Sequence, residues 1–399
     1  MSTQEKFLLC TNLAIYGFLT VFSYSYVDLN LTISQNRQVL ESISIMQQLG
    51  YYNRPQATLI YLIFIIFAFS FFIINLWLFH KSKIAVKYLA VCTLCNTIIL
   101  ILAYPFLSSD LFNYLFDAKI ILKYHLSPYT HKPLDFPQDD WLRFMRWVHR
   151  YSPYGPLWLG MSIIPAALGF GKFILNFIAF KIFIASFHLL NSFIIYKFLQ
   201  KTHSKQLLLG TAFYALNPLF LIEGIANAHN DVLLSTFLLA TIFFLYTKQK
   251  IQAYGALFLG VFIKYIPVLN LPWLIISTFK RNDKDQNRTI LLSLATMAVF
   301  TYLFSSFKIT VPFVSSGATQ VQFQPWYLFW TIPYISMLPM ANLIIPALAV
   351  SLGASLRYLP YLYLGDWSHP PTNTFMQLVT ILPLLASILI LTLKRYFQK

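Results

Sequence analysis

Charge is what this sequence has least of. Only 11% of its 399 residues are Asp, Glu, Lys or Arg, where a soluble globular chain carries about 25%. That shortage excludes a soluble domain and, with it, a disordered chain, a collagen or a coiled coil. Cysteine is scarce too, with three in all, so there is no disulfide framework. Cys92 and Cys95 form a CxxC inside an apolar run of helix length with no second pair, which is a helix face rather than a zinc or redox site. Acidic residues are the scarcer of the charged ones: 13 stand against 29 basic ones, a formal net charge of +16. A Gly-rich phosphate loop, an internal repeat and a low-complexity segment are all missing. What fills the chain is apolar: 58% hydrophobic, 18% aromatic, with a mean hydropathy of +0.63. The apolar runs are continuous rather than alternating, which argues against a β-barrel and for an all-α polytopic membrane protein, read as a single integral membrane domain over 1–399.

Runs near 7–27, 57–79, 88–107, 173–199, 206–222, 231–247, 251–279, 289–307, 325–340, 341–359 and 375–393 are the candidate spans. The first, after Lys6, is too long for a signal-peptide core. Lys and Arg collect between spans at 81–87, 197–205, 248–250 and 280–288 and again at Lys394, Arg395 and Lys399. These mark cytoplasmic loops, so the excess of positive charge needs no nucleic acid to explain it. An even number of crossings must separate the loops at 81–87 and 197–205, so the apolar piece 155–170, broken by Pro165, is predicted not to cross fully but to be a re-entrant or interfacial segment on the outer side. The run 251–279 has cytoplasmic signals at both ends and is predicted to be a hairpin of two short helices with Lys264 and Tyr265 at its tip. The sum is about 12 transmembrane helices with both termini inside. Five polar segments then face outward: 28–56, 108–154, 223–230, 308–324 and 360–374. Within this plan 108–154 is an outer catalytic loop, 155–330 the core helices and 331–399 the C-terminal helices.

Ionisable groups near hydrocarbon are costly and so point to function. Asp110 stands where an apolar run meets the first large outer loop, and Asn113, Tyr114 and Asp117 share its face if a helix follows. A helix cap explains Asp110 as well as a general base does. In 139–150, Trp141, Phe144, Met145 and Val148 fall on one face and Arg143, Arg146 and Arg150 elsewhere, predicting an interfacial amphipathic helix. Anchoring accounts for it more readily than a grip on lipid phosphate. Tyr151-Ser-Pro-Tyr-Gly-Pro156, containing Tyr154, follows as a rigid lead into the re-entrant piece. Glu223, Asn227, His229, Asn230 and Asp231 crowd within nine positions. A His–Asp pair there offers too few ligands to specify a metal, and helix capping by Asn230 or Asp231 is the plain alternative. Lys264 either snorkels or meets a phosphate. Gln320, Gln322, Gln324, Trp326 and Tyr327 open a later span, as interface aromatics or as the amides and rings of a carbohydrate site.

In order, Ser108-x-Asp110-x-x-x-Tyr114-x-x-Asp117-x-Lys119, Ser127-Pro-Tyr129, Tyr151 to Pro156, Asn217-Pro218, Gly224 to Asp231, Lys264-Tyr-x-Pro267 and Gln324-Pro-Trp-Tyr327 resemble the GT-C glycosyltransferases. Within them the chain is similar to the bacterial polyprenyl-phosphate-mannose-dependent mannosyltransferases over roughly residues 100–330. The family usually has Arg where Lys119 stands and often a second acid beside the first, where here Ser109 precedes a lone Asp110. The resemblance implies a polyprenyl-phosphate-sugar donor, a glycan or glycolipid acceptor, inversion at the anomeric carbon, and an active site on the outer face of a bacterial plasma membrane. It implies Asp110 as base, with Lys264, His229, Lys119, Arg143 and Arg146 near the donor phosphate. It further implies Tyr114, Asp117, Tyr154, Asn227, Asn230, Asp231, Gln324 and Trp326 near sugar or acceptor. No cofactor follows; the missing second acid leaves a divalent cation open. Two other readings stand beside it: a lipid or glycolipid transporter, against which the lack of repeats and the one-sided polar residues weigh, and a non-catalytic membrane subunit.

Overall fold

The computed structural model describes residues 1–31, 35–279, 283–306, 323–366 and 370–397. Residues 308–322 of the expected outer segment 308–324, with Gln320 and Gln322, the loop residues Lys280 and Arg281, and Lys399 lie outside them. Every regular element among the described residues is helical. In chain order these are α1 (Thr3–Ser23), α2 (Arg37–Gln47), α3 (Arg54–His80), α4 (Val86–Ile101), α5 (Asp110–Tyr124), α6 (Pro156–Leu168), α7 (Phe173–Thr202), α8 (Leu207–Ala215) and the helical turn α9 (Pro218–Phe220). Then come α10 (Asp231–Tyr246), α11 (Lys250–Val261), α12 (Leu271–Phe279), α13 (Asp283–Ser306), α14 (Ile332–Met337), α15 (Ala341–Leu356), α16 (Leu359–Leu364) and α17 (Pro370–Phe397).

Length and apolarity make five membrane-crossing helices among the described residues: Thr3–Tyr26, Arg54–His80, Phe173–Thr202, Ala341–Leu364 and Thr372–Lys394. The pair Ser204–Ala215 and Pro218–Ala226, bent by 42°, is a sixth if taken as one span. The expected count of about twelve is therefore not what these helices give. Several apolar runs fold into helices too short to cross, among them Val86–Ile101, Pro156–Leu168 and Asp231–Tyr246. At 1.5 Å per residue the 13-residue α6 is about 20 Å long, short of a hydrocarbon core of about 30 Å. It is one helix with Pro165 inside it, and the expected re-entrant course is not confirmed by it. The run 251–279 does break into two helices, with Lys264 and Tyr265 at the break.

Local chemistry sets the ends. At α1, Ser2 and Glu5 form a reciprocal cap. The other Glu5 oxygen accepts from the Ala85 amide at 2.8 Å, so the starts of α1 and α4 are tied together. Farther along, Asn12 and Asn96 hydrogen-bond between the same two helices, in the place where a buried amide most needs a partner. The ends of α7 and α10 lie together, with Lys201 over the Phe243 ring and Phe198 edge-on to Tyr246. Asp231 at the start of α10 and Lys181 in the first third of α7 belong to the polar cluster, so these two helices run from that cluster toward Lys201 and Lys248.

The expected amphipathic helix over 139–150 is absent. Asp140–Phe144 makes a short 3-10 turn, and Met145 is already extended. Asp139 is the reason. Its carboxylate caps the turn through the Trp141 amide at 2.9 Å and takes Lys119, Lys123 and the Tyr124 hydroxyl at 2.7, 3.3 and 2.6 Å. Those bonds hold the segment against α5 and replace the i to i+4 ladder.

Candidate active site

Asp110 is the first residue of α5, while Ser109 occupies the cap position with no side-chain cap bond. The carboxylate is thus not consumed as a cap. It points at His229, whose Nδ1 lies 3.5 Å from Asp110 Oδ2, and it keeps 21% of its side chain exposed. His229 is fully buried and flat against Trp326, with ring centroids 3.8 Å apart. Its Nε2 lies 3.3 Å from Glu223 Oε2. Burial alone would push the imidazole toward its neutral form, but Asp110 and Glu223 outweigh it and raise His229 to about 9. At neutral pH this is an imidazolium held between two carboxylates.

The backbone that sets up this contact is irregular. After Asn217, which caps α9 through the Leu219 amide, the chain widens into a π-helical turn over Leu221–Ala226. It then reverses at Ala228, whose φ of 57° is left-handed. Such turns cost energy and collect at functional sites. Here the turn stacks Asn227 beneath Glu223, with Asn227 Nδ2 donating to Glu223 Oε2 at 3.0 Å and the Leu107 amide donating to Asn227 Oδ1 at 3.3 Å. Tyr358 closes the set by donating to Glu223 Oε1 at 2.7 Å. Below, the buried Lys181 ammonium donates to the carbonyls of Ala103 and Ala226 at 2.6 and 2.7 Å. It joins the strand of chain leading to Asp110 with the turn that carries His229.

Asp231, fully buried, takes Lys264 Nζ at 2.7 Å and Trp330 Nε1 at 2.8 Å. Lys264 keeps 20% of its side chain exposed. Its break is bonded to the start of α6: the amides of Gly155 and Leu157 donate to the carbonyls of Ile263 and Phe262 at 3.0 Å each. A Cβ on Gly155 would stand 2.1 Å from the Phe262 oxygen, so only glycine permits this approach. Tyr114 accepts from the Asn230 amide at 3.4 Å and packs edge-on to Tyr154 and Trp158 at 5.0 and 4.8 Å. Several polar atoms here are buried with no hydrogen-bond partner in the described structure: both amide atoms of Asn230, Asn113 Oδ1, Ser152 Oγ and Asp117 Oδ2. Burial raises Asp117 to about 7, with Ser152 opposing.

Of the residues singled out by sequence, the structure gathers Asp110, Tyr114, Tyr154, Asn227, His229, Asn230, Asp231, Lys264 and Trp326 around one end of the bundle. Asp117 lies one turn farther along α5. Lys119 is committed to Asp139 and lies 3.7 Å over the Trp141 ring. Arg143 pairs with Asp140 at 2.7 Å, and Arg146 donates to the Tyr361 hydroxyl at 3.4 Å. Gln324 caps the turn Pro325–Trp330 as its leading residue. Sequence reading missed Tyr358, Trp330 and Lys181. Trp330 had a signal, three residues after Tyr327, on whose ring it stacks at 4.2 Å; Tyr358 and Lys181 sit in apolar runs that hide them. Among the described residues no group of three or more His, Cys, Asp or Glu converges as a metal-ligand set.

Comparison with known sequences adds one result. The family model described as alpha-(1->6)-mannopyranosyltransferase, N-terminal domain, matches residues 15–280, more than half of the chain. No curated protein and no solved structure matches it.

Proposed function

We infer the reaction from one premise: this chain belongs to the alpha-(1->6)-mannopyranosyltransferase family. It is a glycosyltransferase that moves mannose from a polyprenyl-phosphate donor to a hydroxyl of a glycan or glycolipid acceptor, on the side of the membrane away from the lysine-rich loops. The observation that carries this is Asp110, a partly exposed carboxylate backed by a charged His229. Asp110 takes the proton of the acceptor hydroxyl as that oxygen attacks the anomeric carbon from the face opposite the phosphate. The bond from that carbon to the phosphate oxygen breaks, its electron pair leaves with the polyprenyl phosphate, and configuration inverts. His229, 3.5 Å away, fixes the direction of the Asp110 carboxylate. Lys264, held by Asp231, is the nearest cation to meet the charge that grows on the leaving phosphate.

Buried polar atoms without partners suit a ligand rich in hydroxyls, since an unmet buried group is costly until something pairs with it. Asn230, Asn113 and Ser152 are the sugar contacts on this reading, with Tyr114, Tyr154 and Trp326 as ring surfaces. Asn227 and Asp231 already have partners within the protein and act by holding Glu223 and Lys264 in position. The test is mannosyl transfer from polyprenyl-phosphate-mannose by purified wild type and Asp110→Asn. Transfer by the folded variant is expected to fall by about 10²–10⁴-fold, the usual share of a general base. Equal transfer by both would remove Asp110 from this role. No transfer by wild type from any lipid-linked sugar would favour a transporter or a non-catalytic subunit.

A further inference from the structure

The two buried carboxylates behind the site are built alike. Glu223 and Asp231 are both fully buried. On each, one oxygen meets a cation and the other meets a neutral aromatic donor. Glu223 Oε2 lies 3.3 Å from His229 Nε2, while Oε1 accepts from the Tyr358 hydroxyl at 2.7 Å. Asp231 Oδ2 accepts from Lys264 Nζ at 2.7 Å, while Oδ1 accepts from Trp330 Nε1 at 2.8 Å. Asp139 is the contrast: its two oxygens take two ammoniums, Lys119 and Lys123, and it fixes the outer loop. Both aromatic donors are themselves held. Trp330 ends the turn Pro325–Trp330. Beside it, Phe329 lies flat on Phe220 with centroids 4.1 Å apart, and its carbonyl accepts from the Ser235 hydroxyl at 2.8 Å, which fastens the turn to α10. Tyr358 lies between α15 and α16 and is 1% exposed.

We propose that Tyr358 and Trp330 are positioning residues of the transferase: Tyr358 holds His229 toward Asp110 through Glu223, and Trp330 holds Lys264 in place through Asp231. The assignment rests on the transferase reading, with Asp110 as base and Lys264 facing the leaving phosphate. The last torsion of an Asp or Glu side chain is broad, so a partner on one oxygen alone leaves the carboxylate plane free to turn. A second donor on the other oxygen sets that plane, and with it the place of the cation. Charge-assisted bonds of this kind are the stronger ones. A neutral donor sets the plane without bringing a second cation to compete for the carboxylate, as Lys119 and Lys123 do at Asp139. Without the donor, a buried carboxylate oxygen is left unmet and the side chain turns to find another partner.

The test is transfer kinetics with purified Tyr358→Phe and Trp330→Phe, each alone and in the background of the cation it serves. Both substitutions keep an aromatic ring and delete one donor. In each, kcat is expected to fall about tenfold with KM for the lipid-linked sugar within about twofold, because the proton transfer and the phosphate charge that these groups serve develop in the transition state. In His229→Gln, adding Tyr358→Phe should change transfer by less than about twofold, and Lys264→Gln should mask Trp330→Phe in the same way. The crossed pairs, Tyr358→Phe with Lys264→Gln and Trp330→Phe with His229→Gln, should multiply. Tyr88→Phe and Trp273→Phe are controls. They delete a hydroxyl bonded to Asn75 and an indole N–H bonded to Thr296, each at 2.8 Å, and should lower the melting temperature with kcat unchanged. If the losses multiply in every pair, or if the folded Tyr358→Phe and Trp330→Phe proteins keep the wild-type kcat, the two residues are merely structural and the proposal is overturned. Absence of transfer by wild type from every lipid-linked sugar would instead overturn the transferase reading, and this assignment with it, so the two failures are told apart.

Discussion

His229 shows how one buried side chain links the chemistry to stability. Its folded pKa, raised to about 9 by Asp110 and Glu223, exceeds the unfolded value of about 6.5. A group raised in this way stabilises fully below its unfolded pKa and loses that contribution as pH climbs through its folded one. The window is therefore pH 6.5 to 9, and the shift corresponds to on the order of 3 kcal/mol. Wild-type melting temperature in detergent should decline across that window, and His229→Gln should show a much shallower decline. Parallel curves for the two proteins would mean that the imidazole is neutral in the folded state. The same charge has a catalytic consequence: losing it above pH 9 weakens the contact that directs Asp110, so transfer should fall in step with stability.

Among the helices, the contact between α6 and the break after α11 matters most for the site. Two backbone hydrogen bonds join them, and the bare Cα of Gly155 is what lets them form. Gly155→Ala drives a methyl group into the Phe262 carbonyl, which must shift and move Lys264 away from Asp231. A cost of about 1–3 kcal/mol is expected, together with a loss of transfer larger than stability alone accounts for. Gly160→Ala is the control, because an added Cβ there meets nothing within 4 Å and alanine is the better helix former. It should leave activity intact and slightly raise the melting temperature. Equal behaviour of the two variants would show that the α6 contact does not position the site. The same logic makes Lys181 a positioning residue: it touches two carbonyls that flank the active-site segments and none of the groups that would react.

At the scale of the molecule, the lysine-rich loops and the polar cluster occupy opposite ends of the bundle. If positive loops stay on the cytoplasmic side, the active site faces outward. Lys83→Cys and Thr130→Cys, each exposed in the structure, test this in a cysteine-free background. In intact cells a membrane-impermeant thiol reagent should label the residue at 130 and spare the one at 83 until the membrane is opened. The reverse pattern would put the active site in the cytoplasm and exclude a donor presented on the outer leaflet.

The sequence by itself determined the class of molecule: scarce charge and continuous apolar runs leave only a helical membrane protein, and lysines mark one end of it. It also singled out most of the residues that the structure gathers in the candidate site. Ionisable groups are so costly in such a chain that Asp110, the cluster from Glu223 to Asp231, and Lys264 stand out against their apolar background. Hydropathy could not determine how many runs cross, because a run of apolar residues reads alike whether it folds as a full span or as a short helix such as α6. Nor could it find the end of the outer loop's expected helix, since the capping carboxylate of Asp139 is taken by lysines twenty and sixteen positions earlier. Partnership was decided only in three dimensions. Tyr358 meets Glu223 across 135 positions and Trp330 meets Asp231 across 99, and Arg54 lies against Gly365 from a distant part of the chain. Periodicity reports which face of a helix is apolar; which polar groups converge depends on how the helices are packed against one another.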